Sequence, residues 1–459
     1  MLKKAFYLSW MLALPVHLMA QPGPVREPDS YVDIWTLYQQ NIVSNPRIIG
    51  AEAQVRSAQG QERASFGQLL PQVSASSSFN RVGREQGTYK ELVNGETYGL
   101  RLSQYLYNPA AWRGFKKYTE MTAQYRSQYE DAKVESTVDL VQRYFTVLAA
   151  EDELELTTAE RKATQRNLDR LQAMFKLRLA TVTDVLQISA KVDSLKTAEI
   201  EARNQIEVSR EALAELIGRE VYQPLKRIDQ GVHFDMPPGT EEYWLAQAVS
   251  SNPALQAKQK AVDSANYAIG EAKAGNLPTL SMGLGAQRSD FAYENVPSPR
   301  TDTYSASVSI QIPIYSGGST SARVQGLYGA RDAAEQDYES IRRQVIKETR
   351  TAYMKSASDL SRIASSRHAL DSATKSRQAS ERSMSLGIAT AVEVLNAVQQ
   401  EYSARRDYLK AQYDFIFNQL VLLRWRGGLT DIDIQKINAW LSVPVLGAQN
   451  DMSPMKARG

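Results

Sequence analysis

The chain repeats itself, and a duplication of this length limits the fold more than any other feature of the sequence. Asn45-Pro46 opens a segment that ends in Leu70-Pro71, and Asn252-Pro253 opens a similar one that ends in Leu277-Pro278, at an offset of 207 residues (45 to 252, 71 to 278). Farther on, Tyr107 pairs with Tyr315, and residues 177–186 (LRLATVTDVL) pair with 386–395 (LGIATAVEVL), at offsets of 208 and 209. A drift of two residues across the repeat reflects small insertions between parallel copies. Each copy, at roughly 200 residues, is far longer than a solenoid unit, so each half is expected to carry one complete architecture. The boundaries read 29–252 for the first copy and 253–446 for the second.

Within each copy the hydrophobic period changes from 3.6 to 2 and back. Residues 46–69 are rich in Ala and Gln, with Pro46 suited to a first helical turn. The pattern then alternates. In residues 97–107, Tyr98, Leu100, Leu102 and Leu106 face one way and Gly99, Arg101, Ser103 and Tyr105 the other. In residues 303–315, Tyr304, Ala306, Val308, Ile310, Ile312 and Ile314 alternate with Ser305, Ser307, Ser309 and Gln311. Weaker partners precede each run, through Val73, Ala75 and Phe79 and through Leu280, Met282 and Leu284. The reading is one β-hairpin per copy: strands 70–82 and 97–107 around an Asn94-Gly95 turn signal, and strands 278–288 and 303–315 around Pro297-Ser298-Pro299.

Apolar side chains on one face and small ones on the other suit a membrane barrel with lipid outside and water inside, and equally a half-buried soluble sheet. Strands of about 11 residues match the ~9–11 of a tilted membrane strand. Four strands cannot close a membrane barrel, whose smallest form has about 8, so a barrel here requires several chains.

The remainder of each copy reads as long helix. Residues 109–180 contain no Pro and only Gly114; residues 319–389 contain no Pro and only Gly326, Gly329 and Gly387. About 70 helical residues rise about 105 Å. The returning helices, 182–217 and 391–426, are about half as long, so the hairpins span 109–218 and 318–426. The shorter helices 46–69 and 253–276 are expected to stack end-on with them. Heptads agree with this packing: Val185, Val192, Ile206 and Leu213 form one series, and Ile188, Leu195, Ala202 and Leu216 another. In the second copy Val394, Tyr408, Phe415 and Leu422 stand at corresponding places.

Composition removes several function classes. Of 459 residues, 54 are Lys or Arg and 51 Asp or Glu, a net charge of +3, which is no electrostatic footprint for nucleic acid. With no Cys, the chain has no thiolate metal site, disulfide or cysteine nucleophile. Lys3 and Lys4 precede the apolar run 5–19 and the small residue Ala20, so residues 1–20 read as a secretory signal peptide. No later segment reads as a spanning helix: the richest, 415–423, is broken by Asn418 and Gln419. Beyond the signal only His233 and His368 remain, and no phosphate loop, nucleophile elbow or metal spacing appears. Gly317-Gly318-Ser319-Thr320 follows a strand and opens a helix, but no Lys follows, and the Ser and Thr read as N-cap residues. The chain is read as a non-enzyme without cofactor or metal, and residues 447–459 as a disordered tail.

The signal peptide, the duplicated strand hairpin plus long helical hairpin, and the doubled Thr-x-x-[Asp/Glu]-Val-Leu at 181–186 and 390–395 together resemble the TolC family of outer-membrane channel proteins, over about 29–446. Residues 427–441 (GGLTDIDIQKINAWL) resemble the C-terminal segment of its type I secretion members. The resemblance implies a mixed fold, all-α coiled coil plus membrane β-barrel. Three chains would share one barrel of roughly twelve strands in the outer membrane of a Gram-negative bacterium. Below it an α-helical tunnel would cross the periplasm to an adaptor (membrane fusion) protein and an inner-membrane pump. The alternative is a periplasmic coiled-coil scaffold that passes nothing.

Function is expected at the helix turns. Thr181–Asp184 and Thr390–Glu393 each have capping-box spacing, which by itself explains the acids as helix caps. By the resemblance Glu393 forms a carboxylate ring at the periplasmic aperture, while the second ring position is Asn396. Relatives close the entrance through links to the positions of Thr183 and Asp184, from a Tyr and an Arg that correspond here to Met384 and Ala389, neither able to make the polar contact. Arg178, in the place of Gly387, is a candidate for a substitute ion pair. The apolar tips, Leu177, Arg178, Leu179, Ala180 and Thr181 with Leu386, Gly387, Ile388 and Thr390, are expected to dock the adaptor.

Overall fold

A computed structural model describes residues 31–229, 231–293 and 299–443. The expected signal peptide (1–20), the tail (447–459) and most of the Pro297-Ser298-Pro299 turn signal lie outside the described residues. The first copy runs α1 (Ile34–Ser44), α2 (Pro46–Gly67), β1 (Gln72–Gln86), β2 (Tyr89–Tyr107), α3 (Pro109–Lys176), α4 (Val182–Ile217) and β3 (Arg227–Ile228). The second begins before the expected boundary at 253, because α5 (Glu241–Ser251) precedes Asn252-Pro253 as α1 precedes Asn45-Pro46; it continues with α6 (Pro253–Ala274), β4 (Thr279–Tyr293), β5 (Thr301–Gln311), α7 (Ser319–Ser385), α8 (Ala391–Gly427), α9 (Asp431–Asn438) and β6 (Leu441–Ser442).

The Asn-Pro pairs start helices as their chemistry requires. Asn45 accepts from the amide of Arg47 and Asn252 from that of Leu255, each with Pro in the first turn, where its missing N–H costs nothing. The same pairs mark the end-on joints. Ser44 Oγ donates to the carbonyl of Ile217 at 2.9 Å, so α4 ends where α2 begins, and Asn252 Nδ2 donates to the carbonyl of Trp425 at 3.3 Å, so α8 ends where α6 begins. The 68-residue α3 and 67-residue α7 are thus each covered by a stacked pair of shorter helices. Along α4 the expected stripe is interior: Ile188, Val192, Leu195, Ala202 and Leu213 are buried.

The strands form one antiparallel sheet in the order β1-β2-β4-β5. They are longer than expected, 15 and 19 residues in β1 and β2, because Asn94-Gly95 does not turn the chain. Gly95 pairs with Asn80 inside the ladder, and the reversal comes at Gly87-Thr88, with Gly87 at φ +62°. Continued cross-strand pairing outweighs the local turn preference of Asn-Gly, and Gly87 is equally able to adopt a positive φ. β5 ends at Gln311 rather than 315. A further correction concerns α7: its N-cap is Gly318 at φ +82°, with no side-chain cap bond, and Ser319 instead donates to the carbonyl of Ser316 at 2.8 Å.

Periodicity missed a central layer. Helices α1, α5 and α9 and the β3–β6 pair gather around the middle of the long helices, with Arg227 opposite Ser442 and Ile228 opposite Leu441. Its core includes Leu37, Leu140, Leu148, Phe415 and Leu420, all 0% exposed. The buried Tyr144 hydroxyl donates to the carbonyl of Lys226 at 2.7 Å, tying α3 to the segment before β3.

Candidate functional site

The two long-helix turns are built alike. In the first, Leu179 N donates to Met174 O and Arg178 N to Phe175 O, both at 2.9 Å; in the second, Ile388 N donates to Ser383 O and Gly387 N to Met384 O, at 2.9 and 3.0 Å. This is the Schellman arrangement, which needs one left-handed residue. That residue is Gly387 at φ +75° in the second copy and Arg178 at φ +63° in the first, a conformation costly for a side chain with a Cβ. The apolar residue that follows usually folds back on the helix. Here Leu179 and Ile388 instead stand out with Leu177 and Leu386, all between 68% and 78% exposed.

Helix caps close each turn. Thr181 accepts from the amide of Asp184 at 3.1 Å. Thr390 accepts from the amide of Glu393 at 3.2 Å, and Glu393 in return accepts from the amide of Thr390 at 3.4 Å, a full capping box. Glu393 remains exposed despite this bond, as do Asn396 and Thr183. Met384 is only 8% exposed, inside an apolar cluster with Leu168, Leu171, Ile188, Val394 and Val398, and Ala180 and Ala389 pack against that cluster. Arg178 makes no ion pair among the described residues.

Above the tips lies a set of ion pairs that no local spacing signals. Arg406 of α8 donates to Glu153 at 2.8 Å and to Glu160 at 3.1 Å, both on α3. Lys191 of α4 stands 3.7 Å from the same Glu160, and Arg377 of α7 pairs with buried Glu401 of α8. Arg161 donates to Glu199 at 2.6 Å and holds that carboxyl below its usual range. The partners of Arg406 lie about 250 residues away in the chain, so only the folded arrangement brings them together.

At the opposite end the register sorts the sheet into two faces. Opposed residues share a face, and the rows Ala75–Leu100–Ala286–Tyr304 and Val73–Leu102–Leu284–Ala306 run apolar across all four strands. Exposed Tyr98 stands in the next row beside the ion pair Arg288–Asp302 (2.7 Å), and Phe79 one row farther, where Arg300 pairs with Asp290 (3.0 Å). Where strand meets helix, Trp112, Phe115 and Phe66 cluster with ring centroids 5.8 and 5.3 Å apart. An apolar band between aromatic residues has the character of a lipid-facing barrel surface. The other face carries Ser74, Ser76, Gly283, Gly285, Ser305 and Ser307.

A family model described as outer membrane efflux protein matches residues 37–219 and 244–427, one match in each repeat. The chain belongs to the outer membrane efflux protein family. It is therefore an outer-membrane channel protein, and the scaffold alternative has no support. Outer membrane protein TolC of Vibrio cholerae is 28% identical over 436 residues, which cover 94% of this chain and 98% of that one. The alkaline protease secretion protein AprF of Pseudomonas aeruginosa is 26% identical, covering 77% and 74%. The crystal structure of the Campylobacter jejuni CmeC outer membrane channel superposes with a TM-score of 0.77 at 16% identity, over 93% of this chain and 97% of that one, and so shares the fold. No helix among the described residues is long and apolar enough to cross a membrane; the sheet carries the apolar band.

Proposed function

We propose that three copies of the chain join their four-stranded sheets into one twelve-stranded outer-membrane barrel, and that their helical hairpins continue it as a tunnel through the periplasm. Substrates reach the tunnel from a periplasmic adaptor and an inner-membrane pump, as in type I protein secretion or multidrug efflux. The observation that carries this reading is the register: neighbouring rows on one face that stay apolar across all four strands, joined to helices about 100 Å long that end in exposed apolar turns. A lone four-stranded sheet would leave that face and both edge strands open, whereas closure with two further copies removes the edges.

Each site residue then has a role. Leu177, Leu179, Leu386 and Ile388 meet the adaptor. Glu393 provides one ring of three carboxylates at the aperture, and Asn396 leaves the next position uncharged. The carboxylate of Glu393 accepts only one backbone amide, so it keeps lone pairs free toward the aperture. Met384 and Ala389 close the entrance through apolar packing beneath the turns rather than through polar links to Thr183 and Asp184.

The test is single-channel recording on detergent-extracted protein, with oligomeric mass measured on the same preparation. Discrete cation-selective steps from a trimer are expected. A monomer that never inserts into a bilayer would overturn the reading.

A further inference from the structure

Toward the tip of the first hairpin, Arg84 and Glu91 oppose each other on the polar face of the sheet, but where all four strands pair below them that face is almost free of charge. Among residues 72–82, 94–107, 279–290 and 301–311, the charged side chains Arg81, Glu96, Arg288, Asp290 and Asp302 all fall on the apolar-face rows. Within those residues Arg101 alone falls on the other face. It sits opposite Ser74 on β1 and Gly285 on β4, six residues before the end of β2 at Tyr107, in the helix-proximal part of the sheet.

Its surroundings are cleared of bulk and of counter-charge. A Cβ on Gly285 would lie 2.7 Å from Ser305 Oγ, one on Gly283 3.0 Å from Ser307 Oγ, and one on Gly99 3.0 Å from Ser76 Oγ. Serine hydroxyls thus lie over glycines on the neighbouring strand and form a flat floor from which Arg101 stands exposed. Arg101 makes neither an ion pair nor a side-chain hydrogen bond among the described residues, in contrast to Arg288 and Arg300 on the apolar side. Without a partner, the Arg101 side chain adds no cross-strand bond to the sheet. An unpartnered guanidinium, always charged and rich in donors, is available to whatever passes.

We propose that Arg101 is a specificity-determining residue: three copies form a cationic collar inside the barrel that favours the anionic groups of exported molecules, carboxylates above all. The inference rests on the trimeric channel reading. Twelve strands spaced ~4.8 Å apart and tilted ~40° enclose a lumen on the order of 25 Å across. Arginine heads reaching ~6 Å inward leave an opening comparable with the ~8–10 Å Debye length at 0.1–0.15 M salt, so the collar is felt across the pore at that strength and screened at 1 M. Glu393 at the entrance and Arg101 in the barrel then place opposite charges in series. The pore is consequently asymmetric: cations are favoured at one end and anions at the other.

The experiment measures reversal potentials under a potassium chloride gradient, at about 0.1 M and again near 1 M, for the full-length trimer and for Arg101→Gln, Arg101→Lys and Arg101→Glu. Arg101→Gln should raise the cation-to-anion permeability ratio about twofold or more at the lower salt, Arg101→Glu should raise it further, and Arg101→Lys should leave it near the wild-type value. The differences should collapse at 1 M. Equal ratios for wild type and Arg101→Gln in channels of normal conductance would overturn the collar while leaving the channel intact. Wild-type protein that forms no channel at all would instead overturn the functional reading, and the collar with it. Should Arg101→Glu fail to assemble, the Gln and Lys pair still decides the matter.

Discussion

At the residue scale, the aperture and the central layer each turn on single side chains. Glu393 is both half of a capping box and an exposed carboxylate at the turn. Glu393→Gln keeps an acceptor for the Thr390 amide and removes the charge, so the helix should persist while cation selectivity falls about twofold or more at 0.1 M salt. Unchanged reversal potentials in a planar bilayer would rule out the ring. Asp33 makes a second residue-scale case. Burial works to raise its pKa, but the bond from Lys226 at 2.9 Å, with those from Thr36 and Asn438, more than offsets that effect and holds the carboxyl at about 2. A depressed folded-state pKa contributes stability above the unfolded value of 3.8 that is lost as pH falls through about 2. Asp33→Asn should therefore cost about 1 kcal/mol at neutral pH, after allowance for screening, and the gap to wild type should close between about pH 4 and pH 2 in urea titrations.

At the element scale, the turns and strands show what local pattern can and cannot reach. The Schellman turns at 174–179 and 383–388 follow from bonds within six residues, so the doubled motif placed both in advance. The same holds for the faces of β2 and β5, whose alternation matches the observed rows. The hairpin reversal was not legible at Asn94-Gly95, because the ladder through Asn80–Gly95 and Arg81–Asn94 is a sum of pairings that no dipeptide encodes. Leu179 and Ile388 point away from the apolar cluster that holds Met384, so an acid there should leave the fold unharmed. Leu179→Asp and Ile388→Asp should abolish export in cells while the trimer remains extractable at normal mass. Normal secretion by both variants would mean that the tips are not the docking surface.

At the scale of the whole molecule, Arg406 joins the long helical hairpin of the second copy to that of the first through Glu153 and Glu160. Glu160 is only 4% exposed and would keep just the 3.7 Å contact from Lys191 if Arg406 were lost. Arg406→Ala should cost about 1–3 kcal/mol, below the ~3–5 kcal/mol of a wholly orphaned buried charge because Lys191 remains beside Glu160, and should lengthen channel openings. Lower urea midpoints with unaltered gating would make the pair structural only; unaltered midpoints would remove it from the account. The sequence by itself determined the duplication, the lengths of the long helices, the helix start at Pro46, the caps at Thr181 and Thr390, and the separation of apolar from small residues along the strands. The caps and the strand faces act within one helical turn or one strand, where spacing alone sets geometry, and the duplication and helix lengths are read directly from sequence identity and from runs free of Pro. Tertiary structure alone decided the β3–β6 pair, the burial of Met384, the partners of Arg406 and the isolation of Arg101. Those depend on which surfaces of two distant copies come to face each other, and contact energies between them have no counterpart in local spacing.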